Sequence, residues 1–127
     1  MPSKNRLTHL AARLAVLRAV GPVTLESSMA AVRVLTEDSR LEPGYGILVD
    51  MRGAEYTPNL ADAARVGRFQ EDAEAFRPHP VAFVTASRAL HAAATILAAM
   101  AGSRGLRVRA FEALEPATDW LAEVHPG

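Results

Sequence analysis

Asp50, Arg52, Ser87, Arg88 and His91 are the residues of this 127-residue chain whose types and spacing could do chemistry. Asp50 interrupts an apolar run in "YGILVDMRG" (45–53), and an arginine and a glycine come soon after it. An aspartate in that position has two uses. It acts as a general base when a partner pushes the two pKa values apart, or it accepts hydrogen bonds from the backbone N–H groups of the next turn. No second carboxylate or histidine is at hand for the first use, so Asp50 reads as closing a strand and shaping an Arg52-Gly53 turn. Ser87 and His91 are four apart at a helix start, a spacing that a nucleophile and its base could use. No Gly-x-Ser-x-Gly elbow surrounds Ser87, however, and no enzymatic activity is expected.

Anion binding is the other chemistry these residues suggest. Open α/β sheets bind ligands at the carboxyl ends of their strands, and helix N-termini present N–H groups that favour negative charge. Helix starts at Thr57-Pro58 and Ser87-Arg88 would flank the Asp50 segment, with Phe111-Glu112 at the same end. The candidate ligand or anion site is therefore Asp50, Arg52, Gly53, Thr57, Ser87 and Arg88, the arginines supplying forked donors suited to phosphate or carboxylate. The competing reading is structural: Ser87 caps, Arg52 pairs with Asp50 or Glu55, and Arg88 is solvated. His9, His79, His91 and His125 include no pair at i, i+3 or i, i+4, and the chain has no cysteine, so neither a metal site nor a cofactor is expected. His79, in "RPHP", belongs to the opposite end of the sheet.

These residues need a scaffold, and the apolar pattern outlines one. Residues 5–20 fit either a helix, through Leu7, Leu10, Leu14 and Leu17, or one or two antiparallel strands ending at Val20 before the Gly21-Pro22 turn signal. The strand reading suits the alternation of helices and strands after residue 20. Thr24 caps a helix over 25–37, and Tyr45–Met51 reads as a strand buried on both faces. Thr57-Pro58 opens a second helix that stops before Pro78. Residues 81–85 form a strand, and Ser87 caps a helix over 88–101 ended by Gly102 and Gly105. Residues 106–111 alternate as a half-exposed strand near an edge. Pro116 opens a last helix with Leu114, Ala117, Trp120, Leu121 and Val124 inward. The fold class is α/β. One domain spans 1–127 with its core at about 12–124. It has a mostly parallel, mixed sheet of four to five strands under about four helices, in the order (β)β-α-β-α-β-α-β-α.

Composition narrows the role. Fourteen basic and fourteen acidic side chains cancel, which argues against nucleic acid as partner. No stretch approaches the ~20 apolar residues of a membrane span. The lack of cysteine and of an uninterrupted apolar leader fits a cytoplasmic protein. The helix over 88–101 carries apolar residues on two adjacent stripes, which fits a homodimer face or the cover of a lipid pocket as well as it fits inert alanines.

The element order, together with "GPVTLE", "ILVDMRG", "GLRVRAF" and "EPATDWL", resembles the SpoIIAA-like group of STAS domains, also described as STAS/Sec14-like, over about residues 12 to 122. The resemblance implies a small α/β domain that binds something. Prototypes of the group are anti-sigma-factor antagonists switched by phosphorylation. Their strand runs into Asp-x-Ser-Gly and then an Asp-Ser-Ser turn whose second serine takes the phosphate. Asp50 and Gly53 match that pattern, Arg52 replaces its first serine, and the later turn falls on Pro58-Asn59-Leu60. Leu60 has no hydroxyl, and Thr57 is needed as a cap, so the phosphoserine switch is expected to be absent. The resemblance leaves two functions: a non-enzymatic STAS-like regulatory or protein-interaction module, or a small-molecule or lipid carrier with an apolar pocket lined by Phe69, Phe76, Ile96 and Met100.

Overall fold

A computed structural model of the chain describes residues 4–11, 14–23, 31, 34–38, 41–56 and 74–124. Its strands are β1 (Lys4–Ala11), β2 (Leu14–Val23), β3 (Gly46–Tyr56), β4 (Val81–Thr85) and β5 (Val108–Phe111), and its helices are α1 (Arg88–Gly102) and α2 (Leu114–Val124). Ala31 and Val34–Thr36 are also helical, and a 3-10 turn covers Glu74–Phe76. The expected helix starts at Thr24 and Thr57 lie outside the described residues.

The five strands lie in the order β1-β2-β3-β4-β5. β1 is antiparallel to β2, and each later pair is parallel. Parallel neighbours need crossovers, and right-handed crossovers between strands that advance in one direction all land on the same face of the sheet. The packing agrees. Leu35, Phe76 and the α1 residues Leu90, Ala94, Leu97 and Ala101 cluster with Ala15, Leu17, Ile47, Val49, Val81 and Phe83. α2 follows the last strand and is free to take the other face, where Ala117 and Leu121 pack on Leu48, Ala82, Val84 and Phe111. It lies over β4, with β3 and β5 at its sides.

Residues 5–11 and 14–20 form two antiparallel strands. Thr8 is an extra residue, because the register steps from Leu7↔Leu17 to His9↔Val16. That irregularity interrupts the two-residue alternation, which is why the segment could be read as either helix or strand. β2 does not stop at Val20, as Gly21-Pro22 suggested. Gly21, Pro22 and Val23 stand opposite Ala54, Glu55 and Tyr56 of β3, so the strand passes through the Gly21-Pro22 signal. α1 begins where expected. Ser87 Oγ accepts from Leu90 N–H at 3.1 Å. The helix runs one residue further than expected, through Gly102, and Gly105 supplies the left-handed conformation (φ 79°) that lets Leu106 N–H reach back to Ala101 C=O at 3.0 Å. α2 begins at Leu114 rather than Pro116, and Leu114 is exposed, not inward. At the other end of the sheet, His79 is buried, and its Nδ1–H donates to the Tyr45 carbonyl at 2.9 Å. Burial holds its pKa below the ordinary histidine range, so it stays neutral in the core.

Gly53 makes the contact between β2 and β3 possible. A Cβ there would stand 3.1 Å from Val20 Cγ1. Gly53→Ala is expected to destabilise the protein by about 1 kcal/mol through overpacking, and Val20→Ala to relieve part of that loss in the double variant. Equal stability of Gly53→Ala and wild type in urea unfolding would contradict this packing.

Candidate functional site

Asp50 lies in the middle of β3, opposite Arg18 of β2 and Val84 of β4. The Asp50-to-Gly53 segment is not a turn after the strand. β3 continues through it to Tyr56, and the register jumps from Arg18↔Asp50 to Val20↔Gly53, so β3 carries one residue more than β2. This is a bulge, and a bulge leaves a backbone group without its ladder partner. The Asp50 carboxylate supplies the substitute. Its Oδ1 accepts from the Arg52 backbone N–H at 3.1 Å and from Arg52 Nε at 2.9 Å, and its Oδ2 accepts from Arg52 Nη2 at 2.9 Å. A two-residue reach to a later N–H is the ordinary geometry of aspartate in turns, used here inside a strand.

Asp50 is 4% exposed, and the Arg52 and Arg18 side chains are 44% and 55% exposed. Arg18 Nε stands 3.6 Å from Oδ2, close enough for attraction but outside good hydrogen-bond distance. The Arg52 side-chain bonds hold the Asp50 carboxyl below the ordinary aspartate pKa against the opposing effect of burial. The same bonds raise Arg52. An acid held ionised with both oxygens occupied is a weak base and has little capacity to take a substrate proton.

The other expected site residues do not join it. Alternation along β3 puts Asp50 on the face of Leu48, which α2 covers in part. Ser87 and Arg88 open α1, which packs on the opposite face. The sheet therefore separates the two halves of the expected anion crevice. Ser87 Oγ is engaged as the helix cap, and Arg88 is exposed. Thr57 lies outside the described residues. The expected apolar pocket is also divided. Phe76 is buried in the core, Met100 is half-buried against it, and Ile96 is 58% exposed and so does not line an interior pocket. Phe69 lies outside the described residues.

Sequence reasoning missed one constellation. Thr85, buried at the end of β4, has Oγ1 3.3 Å from His91 Nδ1, and His91 Nε2 stands 3.9 Å from Glu112 Oε1. The serine expected near His91 is thus replaced by a threonine. Its signal was the strand–turn–helix at 81–91, which brings residues six apart together. A buried hydroxyl and a long carboxylate contact tie the ends of β4, α1 and β5 together and offer no accessible nucleophile. Among the described residues, no group of histidine, aspartate and glutamate side chains could hold a metal ion, and no helix is long and apolar enough to cross a membrane.

No family model matches the chain, and no curated protein matches it either. Solved structures do. An uncharacterized DUF3478-family protein with a SpoIIAA-like fold from Shewanella loihica is 17% identical, with a TM-score of 0.57 over 94% of this chain and 93% of that one. An anti-sigma factor antagonist from Mycobacterium paratuberculosis is 11% identical, with a TM-score of 0.59 over 95% of each chain. At these identities the likeness is one of fold. The chain has the SpoIIAA-like α/β fold expected from its motifs.

Arg52→Ala is expected to cost about 1–2 kcal/mol at neutral pH, less than the loss of a fully buried partner because solvent reaches the guanidinium. Arg52→Lys should recover only part, since a point charge cannot reproduce the fork. The depressed Asp50 pKa fixes the pH dependence. The wild-type advantage is present above the unfolded aspartate pKa and disappears as pH falls through the folded one. Urea unfolding of both variants at neutral and acidic pH checks this, and a difference that persists in acid would contradict it.

Proposed function

We propose that the chain is a non-enzymatic regulatory or protein-interaction module on the SpoIIAA-like fold, acting in the cytoplasm without a phosphoserine switch. The observation that carries this reading is the state of Asp50. The one buried acid of the motif region is held ionised by Arg52 and used to build the strand, so its chemistry is structural. Ser87 is likewise engaged as a cap. By the family resemblance, Leu60, which has no hydroxyl, falls at the position of the prototype phosphoacceptor. A structural neighbour of similar length is an anti-sigma factor antagonist, which makes binding to a protein partner the natural use of the fold.

The surface best suited to that use is the part of the sheet beside α2, at the far ends of β2 and β3. Val20, Pro22, Arg52, Gly53 and Glu55 are exposed there. The alternative apolar surface is the outer side of α1 around Ile96, on the opposite side of the molecule.

Val20→Asp and Ile96→Asp separate the two. Each is made in the full chain, checked for an unchanged melting temperature, and used in quantitative affinity capture from the source cells. Val20→Asp is expected to deplete the captured partner at least ~10-fold, the loss expected for a charge placed in a desolvated contact, and Ile96→Asp to leave it in place. Capture that is indifferent to Val20→Asp would overturn the assignment of the surface. Conversion of a wild-type dimer to monomer by Ile96→Asp would favour self-association through α1 instead.

A further inference from the structure

Two arginines meet one acid on the open sheet face. Arg18 of β2 is the ladder partner of Asp50 of β3. The Asp50 carboxylate attracts both arginines, but both of its oxygens accept from Arg52, leaving Arg18 at 3.6 Å. Arg18 and Arg52 thus share a single acid, which leaves one positive charge in excess. Glu55, the next acid along the β2–β3 ladder, is opposite Pro22, beyond the Val20–Gly53 step.

Geometry adds to the charge. α2 covers the β3–β5 side of this face, and Arg18 and Arg52 are both about half-exposed beyond it. Neighbouring strands are ~4.8 Å apart, so arginines on adjacent strands can reach one tetrahedral anion. Guanidinium forks match the oxygens of such anions two at a time. The Arg52 guanidinium is already oriented by two hydrogen bonds to Asp50, which lowers the entropy lost on binding.

We propose that Arg18 and Arg52, on the open sheet face, bind a phosphate-class oxyanion, with Asp50 acting as the anchor that orients Arg52 rather than as a ligand. The anion offsets the one positive charge that Arg18, Arg52 and Asp50 carry in excess and so stabilises the fold. This site differs from a crevice at helix N-termini: it is made of strand residues and needs neither Ser87 nor Arg88.

The test is NMR titration of the full chain with inorganic phosphate against chloride at matched ionic strength, following the arginine Nε–Hε signals, with thermal unfolding in the same buffers. Expected are saturable shifts at Arg18 and Arg52 and a higher melting temperature in phosphate. Arg18→Ala should lose the saturable shifts at Arg52 and the site-specific part of the thermal gain, Arg18→Lys should weaken binding, and Arg88→Ala should change nothing. In chloride, Arg18→Ala should melt within a few degrees of wild type, because the half-exposed Arg18 stands 3.6 Å from Asp50, outside good hydrogen-bond distance. Shifts that stay linear, a phosphate response unchanged by Arg18→Ala, or equal loss in Arg88→Ala would overturn the site. So would a marked drop in the melting temperature of Arg18→Ala in chloride, which would make Arg18 a structural counter-ion of Asp50. Phenyl phosphate and a phosphoserine peptide, titrated in parallel, separate the sources. Equal affinity assigns a small phosphate monoester, and tighter peptide binding assigns a phosphorylated protein segment. Phosphate binding and partner capture are separate measurements, so either can fail without the other.

Discussion

A buried carboxylate bonded to a residue two positions along its own strand is the interaction on which the centre of this molecule depends. Asp50 cannot be left ionised in the sheet without partners, because an uncompensated buried charge costs several kcal/mol. Arg52 supplies them three times over, from its backbone and from two nitrogens of its guanidinium fork. The exchange is mutual. The carboxylate satisfies the N–H freed by the bulge, and the bulge brings the arginine side chain back over the carboxylate. Because the irregularity is satisfied internally, β3 runs on to Tyr56 and β2 keeps pairing with it to Val23. Gly53 completes the device by leaving room for Val20 where the two strands come back into step.

The second constraint is topological. Four parallel strands laid down in chain order send their right-handed crossovers to one face. That face is sealed by α1 and the helical residues before β3 and β4, and it holds the larger of the two apolar clusters. The other face receives only the helix after the last strand among the described elements, and α2 spans β3 to β5. The arginine-bearing part of β2 and β3 is therefore exposed by the winding of the chain. Function, on this reading, occupies the face that the crossovers do not cover.

Much of this was legible in the residues, and the exceptions have physical causes. Val81–Thr85 and the core of β3 were plain because strands buried on both faces are continuously apolar, and α1 was plain because Ser87 caps it. The antiparallel first strand and the parallel remainder were inferable from the alternation of elements. Breakers misled the reading in two places. Gly21-Pro22 and Arg52-Gly53 look like turns, yet the parallel ladder with β3 carries the strand through the first and a self-satisfied bulge absorbs the second. The crevice joining Asp50 to Ser87 and Arg88 failed for another reason. Strand ends converge in sequence order, but the sheet has two faces, and the parity of one residue decides which. The bond of His91 to Thr85 rather than to Ser87 has the same origin: Thr85 faces α1, and Ser87 is engaged as its cap.

Titration of the Asp50 side-chain carboxyl by carbon-detected NMR tests the account of this site most directly. If Arg52 holds the carboxylate through its three bonds, Asp50 stays ionised to well below the ordinary aspartate value of 3.8. A carboxyl that titrates at or above that value would contradict the account, because desolvation would then outweigh the arginine, and Asp50 would be a protonatable group in the sheet rather than a fixed brace for it.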